Sequence, residues 1–121
     1  MDKSQAINRF WNSFGIKAYD ENTVPEDAVY PRITYDVSVS GFDSGIPLSA
    51  SLWYFSKSWE NITKKADEIG SDIGEGGKTI KYDNGMLWIK RREPFYQRMS
   101  DPDENIRRIL FSVEVEFLSE N

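Results

Sequence analysis

The residue types that carry most enzyme chemistry are missing from this chain, which contains neither histidine nor cysteine. Without histidine, no imidazole can serve as a general base, complete a catalytic triad or ligate a metal. Without cysteine there is no disulfide, no thiolate nucleophile and no cysteine-ligated metal site. The composition therefore argues against the common classes of hydrolase and against metal sites built from histidine or cysteine, and we predict no catalytic, metal-binding or cofactor-binding residue.

Gly77-Lys78-Thr79 has the residue types that end a phosphate-binding loop. The complete pattern requires another glycine five residues before Gly77, and that position holds Asp72. A phosphate loop also leads from a strand into a helix, whereas the pattern here predicts a helix before the loop and a strand after it. We interpret the segment from Gly70 to Gly77 as a flexible internal loop and not as a nucleotide site.

Two acidic motifs resemble parts of known sites. Asp43-Ser44-Gly45 matches the short motif of aspartic proteases, whose chemistry needs two carboxylates that share a proton. One motif per chain would require a homodimer that pairs Asp43 with its symmetry mate. We interpret the motif as a turn and keep the homodimeric protease as an alternative.

Asp101–Asn105 begins like a calcium loop, but Ile106 and Ser112 stand where glycine and glutamate are required. This segment is therefore predicted to be a solvated acidic turn.

Lys90-Arg91-Arg92 is a basic run close to Trp88. Basic residues interleaved with aromatic ones bind single-stranded nucleic acid, so a nucleic-acid-binding module that uses Lys90–Arg92 is a second alternative. Along a strand, however, Lys90 and Arg92 would face one way and Arg91 the other. The chain has 15 basic and 20 acidic residues, a formal charge of −5, which argues against binding nucleic acid through bulk charge.

Periodicity predicts the elements of the first half. Apolar residues at helical spacing predict a helix over Ser4–Phe14, with Ser4 as N-cap and Gly15 just past its end. Strict alternation predicts a strand that opens at Tyr30-Pro31 and runs to Ser40. A second strand over Ile46–Phe55 would form a hairpin with it.

The second half predicts one more helix and three strands. The helix runs from a cap at Ser58 to about Ile69, and Gly70 suits its end. Thr79–Tyr82 and Met86–Arg92 form a hairpin around Asn84-Gly85, and Ile109–Phe117 is the last strand. We predict one domain over residues 1–121, of the α+β class, with a mainly antiparallel sheet of about five strands and both amphipathic helices on one face. The buried face of the sheet is expected to carry Ile33, Tyr35, Val37, Val39, Phe111, Val113 and Val115.

The segment Glu93–Asn105 is predicted to be a long polar loop that nevertheless contains apolar residues. Loops of this length are usually functional or disordered. Aromatic residues beside arginines are enriched at the centres of protein interfaces. The candidate assembly interface predicted from the sequence consists of Arg91, Arg92, Phe95, Tyr96, Arg98 and Met99. The alternative is that Phe95 and Met99 close one end of the core.

Several short stretches, considered together, carry a resemblance that spans roughly residues 5–118. They follow the apolar first helix and are Tyr30-Pro31-Arg32-Ile33-Thr34-Tyr35, Ala50-Ser51-Leu52-Trp53, Ser58-Trp59, Lys65-Ala66-Asp67-Glu68-Ile69, Gly85-Met86-Leu87-Trp88-Ile89, Pro94-Phe95-Tyr96-Gln97-Arg98-Met99 and Glu116-Phe117-Leu118. In these stretches and in the order of its elements, the sequence resembles the lambda-like tail terminator (tail completion) family of long-tailed bacteriophages. Such proteins are also classed as minor capsid or head–tail joining proteins.

The resemblance implies a structural role without catalysis. Members of this family form a hexameric ring on the finished end of the tail tube, stop its growth and present a surface to the head connector. The implied partners are further copies of the chain, the tail tube protein and the head–tail connector proteins, and DNA passes through the lumen without specific binding. With no signal sequence and no membrane segment expected, the implied location is the tail or neck of the virion, after synthesis in the host bacterial cytoplasm.

Overall fold

The computed structural model describes residues 1–37, 45–83 and 85–119, in which two α-helices and six strands follow one another. Helix α1, Lys3–Trp11, continues into a 3₁₀ turn, Asn12–Phe14, before strands β1, Lys17–Asp20, and β2, Arg32–Tyr35. Strand β3, Ile46–Phe55, leads to helix α2, Glu60–Ile73. Strands β4, Lys78–Tyr82, β5, Gly85–Met99, and β6, Ile106–Ser119, complete the sheet.

The six strands form one mixed sheet in the order β1-β2-β3-β6-β5-β4. All neighbours are antiparallel except β1 and β2, which run parallel with Ala18 opposite Ile33. The α+β class is thus confirmed, but the expectation of about five mainly antiparallel strands is corrected to six strands in a mixed sheet. The additional strand, β1, is four residues long, which is too short for an alternating pattern to stand out in the sequence.

One face of the sheet is buried under both helices, as predicted. Among the residues expected on this face, Ile33, Tyr35, Phe111, Val113 and Val115 are buried, and Val37 is half-buried against the same core. Val39 lies outside the described residues. The indole of Trp11 in α1 stacks on Phe111, with ring centroids 6.1 Å apart, and α2 also packs against β3, β5 and β6. The sheet curls into a half-barrel, so that α1 contacts both of its edge strands, β1 and β4.

The ends of the helices differ from the predicted ones. Asp2, not Ser4, caps α1: its carboxylate accepts a hydrogen bond from Gln5 N, and Gln5 Oε1 accepts one from Asp2 N, a capping box. Gly15 has the left-handed conformation (φ 77°) expected just past the helix. Helix α2 does not end before Gly70 but at Ile73, with Gly74 as its C-cap, because Ile73 continues the buried stripe for another turn.

The expected strand boundaries also shift. Within the described residues, the strand predicted from Tyr30 to Ser40 is β2, and its predicted pairing with β3 is present. The segment Glu93–Asn105 is not one loop: β5 continues to Met99 and pairs with β6 as far as Arg108. Its register is shifted between Arg91 and Tyr96, and this break obscures the alternation that would reveal a strand in the sequence. Neither α-helix of the described residues is long and apolar enough to cross a lipid bilayer.

Candidate assembly interface

The six residues of the predicted interface lie on the second half of β5, at a free edge of the sheet. Strand β4 pairs with β5 only as far as Ile89, where it faces Lys78. Beyond that point β5 has β6 on one side and, in the part of the chain that the structure describes, no strand on the other. Exposed backbone edges of this kind pair readily with other chains, and Pro94 and the charged residues of this segment restrict that pairing.

Phe95 and Tyr96 are half-buried and turn towards α2. The Phe95 ring lies 5.2 Å from that of Phe111, between centroids, and the Tyr96 ring lies 6.4 Å from it. Tyr96 Oη donates a 2.9 Å hydrogen bond to Asp67 Oδ1 on α2. This hydrogen bond is the main reason that the pKa of Tyr96 is raised, because it stabilises the protonated phenol. These two side chains therefore stabilise the packing of α2 on the sheet.

Arg98 takes part in an arginine–tryptophan cluster at the same end of the sheet. Its guanidinium lies 4.7 Å from the centroid of the Trp59 ring, and that of Arg107 lies 5.3 Å from the same ring. Arg107 also donates to the carbonyl oxygen of Lys57 at 2.7 Å, which holds it in place. Stacking on an indole leaves the edge of a guanidinium free to donate hydrogen bonds to a further partner.

A second arginine–tryptophan cluster lies on the opposite, helix-free face of the sheet. Met99 is paired with Arg108, whose guanidinium lies 4.7 Å from the Trp53 ring and whose Nε donates to Ser51 Oγ at 3.0 Å. Nearby, the rings of Tyr30 and Phe55 are 6.1 Å apart. Phe55 is 64% exposed, and Val29, which precedes Tyr30, is 72% exposed. An exposed apolar patch bordered by arginine has the composition of interface centres.

Arginines and lysines have different partners in this chain. Within the described residues, every ion pair is formed by a lysine or by the amino terminus: Lys64–Glu60, Lys65–Glu68, Lys78–Asp72, Lys90 with Glu114 and Glu116, and Met1–Asp83. None of the seven arginines has a carboxylate partner there, and five of them lie over aromatic rings. The charges of the exposed Arg91, Arg92 and Arg98 are therefore available to an external partner.

The basic run Lys90–Arg92, which suggested nucleic-acid binding, does not form one continuous basic surface. Lys90 Nζ lies 3.4 Å from both Glu114 Oε2 and Glu116 Oε1, and 4.3 Å from the centroid of the Trp88 ring. Desolvation alone would lower the pKa of Lys90, but the hydrogen bonds and charges of Glu116 and Glu114 outweigh it, and the pKa is raised. Arg91 lies over Phe95, with its guanidinium 5.9 Å from the ring centroid, and Arg92 is exposed. Lys90 is thus neutralised within the chain, which weakens that alternative.

The remaining motifs have structural roles where they are described. Helix α2 precedes the glycine loop and β4 follows it, as predicted, and Lys78 and Thr79 already belong to β4. Only Gly74–Gly77 form the loop, because residues 71–73 are helical. Lys78 Nζ forms a 2.7 Å ion pair with Asp72, and Trp88 Nε1 donates to the Gly76 carbonyl at 3.0 Å. The acidic turn is closed by Asp103 N, which donates to Asp101 Oδ1 at 2.9 Å. Asp43 lies outside the described residues.

The sequence did not predict several residues of this surface. Arg107 and Arg108 join it because β6 pairs with β5, and Trp59, which directly precedes α2, meets Arg98 and Arg107 only in the folded chain. Such contacts are not visible in local spacing. The one available signal was the end of β3, where Trp53, Tyr54 and Phe55 are apolar on both faces of the strand.

Comparisons with known proteins bear on the fold. No protein-family model matches the sequence. No curated protein matches it. Among solved structures, the fold is similar to that of a chain in a particle described as "Virion of native gene transfer agent (GTA) particle", with a TM-score of 0.61. The similarity covers 95% of this chain and 93% of that chain, with 14% identical residues, and it shows that the two chains share a fold.

Proposed function

We propose that this chain is a structural protein of a tailed, phage-like particle. The observation that carries the proposal is the fold shared with a chain of a gene transfer agent virion over 95% of this chain and 93% of that one. A match that spans nearly all of both chains relates whole proteins, and not only a common sheet motif. The resemblance of the sequence to tail terminators supports the same class of function independently of the fold.

More narrowly, the chain forms a ring at the head-proximal end of the tail tube. There it ends tube polymerisation and joins the tail to the head connector. Its partners are other copies of itself, in a hexamer, together with the tail tube protein and the head–tail connector proteins. DNA passes through the lumen without specific binding, and the protein resides in the tail or neck of the virion. The arginine–aromatic surfaces around Trp53 and Trp59 support a role in which one chain contacts several protein neighbours.

Deletion of the gene from the genome that carries it tests this proposal. We expect tails of abnormal and variable length that fail to join heads, seen by electron microscopy of lysates. Supplying the wild-type chain from a plasmid should restore uniform tails, and antibody labelling should place the protein at the head–tail junction. Normal, head-joined tails in the deletion strain, or labelling elsewhere on the particle, would contradict the assignment to the tail end.

A further inference from the structure

The sheet has two free edges of opposite charge. At one edge, β1 and the β1–β2 connection contribute Asp20, Glu21, Glu26 and Asp27 against one exposed lysine, Lys17. At the other, the free edge of β5, here residues 90–99, contributes exposed Arg91, Arg92 and Arg98 against one exposed acid, Glu93.

Ion pairs within the described parts of the chain do not compensate either set of charges. Among the described residues, Glu21, Glu26 and Asp27 are exposed and have no ion pair, and the same is true of Arg91 and Arg92. Each surface also carries an exposed apolar residue: Val29 in the connection and Pro94 at the β5 edge. Apolar contact surrounded by complementary charge is the usual composition of a specific protein interface.

We propose that copies of this chain join head to tail, with the free edge of β5 of one copy against the β1–β2 connection of the next. This inference rests on the proposed function, since it names the contact by which the ring is built. A two-fold contact of either surface with itself would oppose like charges, whereas the two surfaces complement each other. A contact between two different surfaces is heterologous, and heterologous contacts close into rings when the rotation between copies permits.

Charge reversal on each side, followed by an exchange of charges, tests the contact. We expect Arg91→Glu with Arg92→Glu to weaken association between copies by more than about tenfold, because like charges would then face each other. Glu26→Lys with Asp27→Lys should weaken it to a similar extent. The chain with all four substitutions has the wild-type net charge and restores complementarity, so its association should return to within about threefold of wild type. Association is measured by sedimentation of the purified chains and by their incorporation into particles.

The matched control changes the same amount of charge elsewhere. Lys57→Glu with Lys81→Glu alters the net charge as much as the arginine reversal does, at exposed residues outside both surfaces. This control should associate like wild type. All of the substituted side chains are exposed, so every variant should unfold at the same urea concentration as wild type.

Disulfide cross-linking between introduced cysteines tests the contact directly, since the chain has no cysteine of its own. With Asp27→Cys and Arg92→Cys in one chain, oxidation should link copies into a ladder beyond the dimer, whereas either cysteine alone gives at most dimers. Equal association of the reversed and wild-type chains, failure of the four-substitution chain to recover while folded, or a chain that is monomeric in solution and in particles would each overturn the inference.

The two proposals fail in different ways. Normal tail ends in particles that carry the arginine reversal, without a disulfide ladder from the paired cysteines, would overturn this contact and leave the function standing. Normal tails in the deletion strain would overturn the function, while sedimentation and the ladder would still decide the contact.

Discussion

At the scale of single residues, Gly77 is the position where the backbone leaves no space for a side chain. Its φ is 86°, and a Cβ there would lie 2.6 Å from the carbonyl oxygen of Ile89 and 2.6 Å from Trp88 Nε1. We expect Gly77→Ala to lower the free energy of unfolding by about 2–4 kcal/mol, from left-handed strain and overlap with β5. Urea denaturation measures this difference.

Gly76 provides the matched control, one residue away in the same loop. A Cβ at Gly76 would have no atom within 4 Å, and its φ is not positive. Gly76→Ala should therefore change the free energy of unfolding by no more than about 0.5 kcal/mol. Equal stability of the two variants would show that the loop is not held against Trp88. In that case, no steric contact would explain why position 77 is a glycine.

Tyr96 links the stability of the fold to alkaline pH. Its pKa is raised above the ordinary 10.0, first by its hydrogen bond to Asp67 and then by burial. Because the folded pKa lies above the unfolded one, the stabilisation is complete below about pH 10 and is lost as the pH rises through the folded value. We expect the stability advantage of wild type over Tyr96→Phe to be constant at neutral pH and to decline above pH 10. Unfolding measured across this range in both chains checks the prediction.

Asp67→Asn separates the hydrogen bond from burial. Removing the carboxylate should shift the pKa of Tyr96 back towards its ordinary value, as followed by ultraviolet absorbance of the tyrosinate, with Tyr96→Phe subtracted. An unchanged titration would mean that Asp67 is not the partner of Tyr96 and that α2 is held to the sheet by apolar contacts alone.

At the scale of elements, the contact between α2 and β5 depends on Gly70. A Cβ at this position would lie 3.2 Å from Phe95 Cε2, so the ring occupies the space of the missing side chain. Gly70→Val should destabilise the protein by about 1–3 kcal/mol, because the larger side chain forces helix and strand apart. Ser71→Val, at the next and exposed position, has the same β-branched side chain in the same helix and should cost less than about 0.5 kcal/mol.

A double-mutant cycle tests whether this cost arises at Phe95. In a Phe95→Ala background, Gly70→Val should cost clearly less, because the ring that it meets is gone. Independent, additive effects of the two substitutions would show that the glycine is needed for another reason. Chemical denaturation of the four chains gives the coupling.

Elements with a sustained period were predictable from the sequence, and irregular ones were not. Alternation over β6 identified its buried face, and the helical spacing of apolar residues located both helices. Gly70 was misinterpreted as a helix end, because sequence alone does not show that an aromatic ring needs its space. The β5 extension was missed because the register shift after Arg91 interrupts its period. β1 was missed because its pairing with β2 is set by contacts distant in sequence.

The candidate site was predictable in its residue types and only partly in its geometry. Exposed Arg91, Arg92 and Arg98 do lie on an accessible edge, whereas Phe95 and Tyr96 pack against Phe111. The two arginine–tryptophan clusters arise from strand pairing, as between Trp53 and Arg108, which lie far apart in the sequence. Whether the six predicted residues contact a neighbour stays a prediction.

At the scale of the whole molecule, the positively charged residues differ in their partners: lysines and arginines make different contacts. Within the described residues, at least four of the eight lysines are paired with carboxylates, whereas five of the seven arginines lie over aromatic rings and none has a carboxylate partner. Arginine suits protein interfaces because its planar guanidinium stacks and donates at the same time. With a formal charge of −5, the molecule as a whole repels polyanions, while its local arginine surfaces remain able to bind carboxylates.

This division of charge predicts that the isolated chain does not retain DNA. The basic run at Lys90 is neutralised by Glu114 and Glu116, and no other lysine or arginine run in the described residues is longer than two. We expect no retention of single- or double-stranded DNA in filter binding at about 0.15 M salt, where non-specific binding depends on neutralising phosphates. A basic DNA-binding protein in the same assay serves as the positive control. Retention that falls with salt and is lost in Lys90→Ala, Arg91→Ala, Arg92→Ala would instead support the nucleic-acid alternative, and a lumen that lets DNA pass freely would then be excluded.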